Sequence, residues 1–251
     1  MTACFSDPEA GLPQEFTRLR ALTSLKIHSR SDEWFVLSNG LLQGLSQLRS
    51  LHLQGVELQG VPDQDGDAFS SQDAVEVWQH LEDLLIPQVL PQDSVIRALP
   101  RLSSLTSLDL HYGDPEVEPE LVQCVLACSG LHRLALQFFK TLSEGPYLSN
   151  LCRLSLSFAL FLPHIPPALR SASRLTELDL SHCYEMSLQQ QDLLLLQSLK
   201  KLRRLNLTRD TVRARFGAGD VSIMEEASAL PLVDIEQERD WEYKQMNVTF
   251  F

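Results

Sequence analysis

The chain has 251 residues and a formal net charge of −12, which argues against a nucleic-acid phosphate footprint or an anionic membrane surface as its main partner. Five cysteines, an odd number without a CxxC pair, fit a reducing compartment. No basic start runs into an apolar leader, and no window approaches the roughly 18 apolar residues of a membrane span, so the expectation is a cytoplasmic protein, with cytoskeleton, ciliary axoneme or nucleus as alternatives.

One apolar comb of the form LxxLxxLxL recurs eight times in chain order. It runs through Leu19, Leu22, Leu25, Ile27; Leu45, Leu48, Leu51, Leu53; Trp78, Leu81, Leu84, Ile86; and Leu102, Leu105, Leu108, Leu110. The second half continues Cys128, Leu131, Leu134, Leu136; Leu148, Leu151, Leu154, Leu156; Ala172, Leu175, Leu178, Leu180; and Leu199, Leu202, Leu205, Leu207. Third-position residues are separated by steps of 26, 33, 24, 26, 20, 24 and 27 residues. In each copy the last positions alternate with period two, the pattern of a short strand with one buried face. Eight parallel strands about 4.7–4.9 Å apart then form one sheet some 35–40 Å across.

Between the combs the pattern varies. Leu12-Pro13 to Phe16 and Ile165-Pro166 to Leu169 predict extended or single-turn backbone, because proline resists a helix interior. Asp73 to Leu81, Glu120 to Cys128 and Gln191 to Leu199 have helical spacing, with Asp73 and Asp192 near the helix starts. Residues 1–216 read as one repeat domain and 217–251 as a capping turn with an acidic tail. In that cap Leu230 falls 25 residues after Leu205.

The comb and its steps resemble the leucine-rich repeats. Leu178-Asp-Leu-Ser-His-Cys183 followed by a helix is similar to the cysteine-containing repeats of F-box-type substrate receptors and of the ribonuclease-inhibitor-like family. The resemblance implies an α/β solenoid, a horseshoe with a curved parallel sheet on its concave side and mixed helices and extended turns on its convex side. It departs from the family three residues past each strand, where Asn or Cys is usual: Arg30, Val56, Val89, Gly113, Phe139, Ala159 and Asp210 stand there, and only Cys183 conforms. The loops should therefore be irregular.

The candidate chemistry is thin. Asp63, Asp65 and Asp67 open like a calcium loop, but the glycine is misplaced and Ala74 stands where a bidentate Glu is needed. Cys124 and Cys128 share a helix face without a second pair of ligands, so they read as buried free thiols. His28, His52 and His111 point outward with Asp109 beside His111, yet no nucleophile elbow or phosphate loop accompanies them. A basic cluster at Lys200, Lys201, Arg203, Arg204, Arg209, Arg213 and Arg215 reads as solvated or paired with the acidic tail. The expectation is no catalysis, no cofactor and no metal.

What remains is a surface. The outward columns concentrate charge toward the C-terminal half, at Asp109, Arg133, Arg153, Glu177, Asp179 and Arg204. Beside them Tyr112, Phe138, Phe158 and His182 align at the strand exits, and such aromatics commonly anchor partners. These ten residues are the expected partner site of a monomeric, noncatalytic interaction scaffold that binds a protein through its concave face, not nucleic acid or membrane. The alternatives are a substrate-receptor component of a ubiquitin ligase and a regulatory subunit or inhibitor of an enzyme.

Overall fold

The computed structural model describes residues 2–5, 20–29, 35–38, 44–54, 56–59, 76, 78–87, 97–111, 119–137, 142–157, 159, 163–183, 186, 188–208 and 233–236. The spacing of three in the comb is realised as short turns: Leu48 donates to Leu45, Leu81 to Trp78, Leu105 to Leu102, Leu175 to Ala172 and Leu202 to Leu199, each at 2.9–3.0 Å. Each is an i to i+3 bond of the 3₁₀ type. Such turns put the first three comb residues on one side of the chain, and the strand that follows adds two more inward positions.

The strands are β1 (Thr2–Phe5), β2 (Ser24–Ser29), β3 (Phe35–Ser38), β4 (Ser50–Gln54), β5 (Val56–Gln59), β6 (Asp83–Pro87) and β7 (Ser107–His111). They continue as β8 (Arg133–Gln137), β9 (Arg153–Ser155), β10 (Glu177–Asp179), β11 (Arg204–Thr208) and β12 (Val233–Glu236). Ten of them form one parallel sheet in the order β1-β2-β4-β6-β7-β8-β9-β10-β11-β12. The eight comb strands lie side by side as the sequence predicts, with Leu25, Leu51, Leu84, Leu108, Leu134, Leu154, Leu178 and Leu205 as direct lateral partners. None of these leucines is more than 3% exposed. Burying a Leu side chain stabilises by about 1.5–3 kcal/mol, and a row of them fixes the register, since a one-residue slip would turn all of them to solvent.

A second ladder runs along the leading edge, where each strand begins. The Thr23 carbonyl accepts the amides of Arg49 and Ser50, the Arg49 carbonyl those of Glu82 and Asp83, and the scheme repeats at Glu82, Thr106, His132, Cys152 and Thr176. One carbonyl per repeat thus holds two amides of the next. Gly130 sits in one such turn, and a Cβ there would lie 2.9 Å from the Leu105 carbonyl oxygen.

The return segments differ from repeat to repeat, as the mixed signals imply. Among the described residues two are α-helices, α1 (Pro119–Leu126) and α2 (Gln190–Ser198). Three are single 3₁₀ turns, at Leu99–Arg101, Pro146–Ser149 and Pro167–Ser171. Each 3₁₀ turn carries a proline in its first turn, where the missing amide costs nothing.

Three features depart from the sequence reading. Strand β1 pairs with β2, Ala3 opposite Ile27, although residues 2–5 carry no comb. A separate two-stranded parallel sheet joins β3 to β5. At the other end Val233, not Leu230, lies opposite Leu205, because the alternation Val233, Ile235 matches Leu205, Leu207. Asp192 does lie at a helix start, as the third residue of α2, with Gln189 at the cap position. The segment 12–16 and the acidic loop 63–67 lie outside the described residues, as do residues 73–75 and 77.

Candidate docking face

Strand alternation sends the residues flanking each buried leucine to the other face of the sheet. The first outward column runs through Ser24, Ser50, Asp83, Ser107, Arg133, Arg153, Glu177 and Arg204, each the lateral partner of the next. The second includes Lys26, His52, Leu85, Asp109, Ala135, Ser155, Asp179 and Asn206, in the same register.

In the N-terminal half the two columns meet in a polar cluster. His52 Nε2 and Asp83 Oδ2 are 2.6 Å apart, Ser50 Oγ donates to the same Asp83 oxygen at 3.3 Å, and Ser50 Oγ lies 3.4 Å from His52 Nε2. A serine, a histidine and an aspartate together invite comparison with a nucleophilic triad. The geometry rules that out: a triad orients one ring nitrogen with the carboxylate and presents the other to the hydroxyl, whereas Ser50 and Asp83 both face Nε2. The cluster cross-links β4 to β6.

Burial pushes the Asp83 carboxyl upward, but hydrogen bonds from His52 and Ser107, the His52 charge and the Ser50 hydroxyl outweigh it and hold the pKa below the ordinary 3.8. A carboxyl depressed in the folded state adds stability that is present above its unfolded pKa and lost as pH falls through the folded one. The gap in urea midpoint between the native chain and Asp83→Asn is therefore expected to close as pH falls below about 4. With the Asp83 side chain 36% exposed, the gap corresponds to no more than about 1 kcal/mol. A gap that widens as pH falls below about 4 would refute the assignment.

In the C-terminal half the column becomes a charge row. Glu177 is shared, with Oε2 at 3.2 Å from Arg153 Nε and Oε1 at 3.4 Å from Arg204 Nη1. Arg133 lies beside Arg153 on the neighbouring strand. In the second column Asp179 Oδ1 accepts the Ser181 amide at 3.0 Å, and Ser155 Oγ donates to Ser157 Oγ at 3.2 Å.

Of the ten residues singled out from the sequence, Arg133, Arg153 and Arg204 are exposed, and Asp109, Glu177, Asp179 and His182 are half-buried. His182 has a left-handed backbone, φ 58°. The row Arg133, Arg153, Glu177, Arg204 is contiguous; Asp109 and Asp179 are separated in their column by Ala135 and Ser155. Tyr112, Phe138 and Phe158 lie outside the described residues.

Sequence reasoning missed two contacts. The Ser50, His52 and Asp83 cluster joins residues 31 and 33 apart, yet aligning the combs puts the three in adjacent columns. On the far side of the coil, His164 Nδ1 stands 3.5 Å from the buried Asp192 carboxylate, beside a cavity of about 310 Å³ lined by prolines 163, 166 and 167, Ile165 and Arg170. No sequence signal short of the helix-start pattern points there.

Cys128 and Cys183 are buried packing groups, whereas Cys124, read from the sequence as buried, is half-buried like Cys152. Burial, with Cys124 nearby, pushes the Cys128 thiol up to about 12, and burial pushes Cys183 up to about 11. Neither forms a reactive thiolate near neutral pH. The Cys183 Sγ donates to the Leu156 carbonyl at 3.2 Å, which also takes the Ala159 amide at 3.1 Å. This thiol stands in for the loop ladder in the one repeat that keeps the consensus. Among the described residues no three His, Cys, Asp or Glu side chains converge to hold a metal ion, and no helix is long and apolar enough to cross a membrane.

No family model matches the sequence, and no curated protein resembles it significantly. Solved structures do. The leucine-rich-repeat domain of the type III effector XopL superimposes with a TM-score of 0.54 at 18% identity, covering 93% of this chain and 75% of that one. The functional domain of InlJ from Listeria monocytogenes, which includes a cysteine ladder, gives 0.50 at 16% identity and covers 76% of this chain and 36% of its own. A complex of TLR13 with the RNA ssRNA13 gives 0.49 at 23% identity, over 74% and 26% of the two chains. The fold is a leucine-rich-repeat solenoid. At these identities the likeness shows the repeat architecture alone, and it does not select the F-box-type or ribonuclease-inhibitor-like subtype. Within a leucine-rich-repeat fold the exposed sheet face is the broad surface that successive repeats build in common.

Proposed function

We propose that this leucine-rich-repeat protein is a noncatalytic scaffold that docks a partner protein on the exposed, concave face of its sheet, in the C-terminal half. The observation that carries the reading is the charge row, in which Glu177 bridges Arg153 and Arg204 across three strands with Arg133 alongside. A lateral network of this kind holds charged heads in fixed positions, and fixed charges orient a partner. Asp109, Asp179 and His182 complete the polar floor, and the aromatic residues Tyr112, Phe138 and Phe158 supply the anchors. In this reading residues 1–216 are the binding body of a cytoplasmic monomer, 217–251 cap it, and no cofactor takes part. A ubiquitin-ligase receptor and an enzyme regulator would dock in the same way and differ only in the partner.

Truncating an anchor costs more than reversing a rim charge. Affinity capture from the native cell is therefore expected to lose the partner more completely with Phe158→Ala than with Arg153→Glu, both variants keeping the native melting temperature. Phe138→Ala or Phe158→Ala with a lowered melting temperature and undiminished capture would show that the rings are loop core and that the site is misplaced.

A further inference from the structure

Although the whole chain carries −12, one stretch of its surface has the opposite sign. Arg133, Arg153 and Arg204 are exposed at the start of β8, β9 and β11, and the turns just upstream add exposed Arg174, Lys200, Lys201 and Arg203. The turns are stacked, since Arg174 Nη1 donates to Asn150 Oδ1 at 2.8 Å and Asn150 Nδ2 to the Ser129 carbonyl at 3.1 Å. These bonds fix the guanidinium of Arg174 against neutral groups, and among the described residues it makes no ion pair. Across residues 127–135, 150–155, 173–179 and 198–206 the only carboxylates are Glu177 and Asp179, both half-buried.

Glu177 shows how a carboxylate fits this edge. It lies between two guanidiniums of adjacent strands and gives one oxygen to each, at 3.2 and 3.4 Å. One strand further on, Arg133 and Arg153 are again lateral partners, and among the described residues Arg133 has no ion pair. Two like charges on neighbouring strands repel, and a carboxylate between them would relieve both. Resting on the docking reading above, we propose that the gap between Arg133 and Arg153 receives a carboxylate of an acidic segment of the partner protein, so that the leading edge of the last four repeats is an acidic-peptide site.

The same edge suits nucleic acid poorly. Single-stranded nucleic acid binds through aromatic platforms interleaved with cations; none of the residues in these stretches is Phe, Tyr or Trp, and the aromatic anchors proposed above follow the strands in sequence where these cations precede or begin them. A long polyanion would also meet the acidic remainder of the chain, which a short acidic segment avoids.

The test is fluorescence anisotropy with the full chain and three labelled probes: a dodecapeptide of alternating Glu and Ser, its Gln and Ser counterpart, and a dodecameric oligouridylate. The Glu peptide should bind, more weakly as salt rises, and the Gln peptide should not. Arg133→Gln should weaken Glu-peptide binding about tenfold, the loss of one charge-assisted hydrogen bond, with the melting temperature unchanged. Arg49→Gln removes a cation that already pairs with Glu82 on the other half of the sheet, so it should leave affinity unaltered. Equal affinity of Arg133→Gln and the native chain, equal losses from both variants, or tighter binding of the oligouridylate would each overturn the proposal. If the Glu peptide fails to bind while partner capture still depends on Arg153, the acidic-segment inference falls and the docking face stands.

Discussion

Leu178→Ala is expected to lower the unfolding free energy by about 2–5 kcal/mol, the range for a buried leucine that leaves a cavity behind. Leu178 is 1% exposed and sits in register between Leu154 and Leu205, with Leu175 and Leu180 buried in the same repeat. A solenoid is held by contacts between adjacent repeats, so one lost side chain weakens two interfaces at once. The neighbouring helix supplies the control. Leu194 stands 56% exposed in the run Leu193 to Leu196, whose other three members are buried, and Leu194→Ala should change stability by no more than about 0.5 kcal/mol. Urea denaturation of the two variants decides the matter. Equal effects would mean that the inward register drawn from the comb is wrong.

That register was legible because the comb imposes two periods at once. The spacing of three sets the turns, the spacing of two sets the strand, and only one alignment satisfies both in all eight copies. Where one period is missing, the reading failed. Residues 2–5 carry no upstream turn pattern, so the pairing of β1 with β2 gave no signal. Near the C-terminus, apolar residues at both 230 and 233 offered two alignments three apart, and the strand takes the one in which Val233 and Ile235 alternate with polar Asp234 and Glu236. Asp192 was placed near a helix start but not in its role, because a carboxylate serves as cap or as third residue according to a single turn of backbone. On the docking face the columns were readable, and the exposure of Arg133, Arg153 and Arg204 follows from alternation alone. The bridging of two arginines by Glu177 was not readable, since it depends on side-chain reach across strands.

Asp192 is where one polar group ties two repeats together. Its carboxylate is 2% exposed. Oδ2 accepts the Gln189 amide at 2.8 Å, closing the start of α2, and Oδ1 accepts the Ile165 amide at 3.0 Å from the preceding return loop. His164 Nδ1 lies farther off, at 3.5 Å, on a side chain 36% exposed. Asp192→Ala would leave the two amides without their acceptor in a buried place, and each such loss costs about 1–3 kcal/mol, so the expected destabilisation is about 2–4 kcal/mol. Asp192→Asn keeps one acceptor oxygen but sets an amide donor against one of the two N–H groups, so it should fall between Ala and the native chain. His164→Ala removes the half-exposed ion pair and should cost less than about 1 kcal/mol. The order Asp192→Ala, then Asp192→Asn, then His164→Ala, unchanged between low and high salt in urea melts, identifies backbone capping as what holds the loop to the helix. If His164→Ala proves as damaging as Asp192→Ala, the ion pair carries the junction instead, and the effect should then fade as salt screens it.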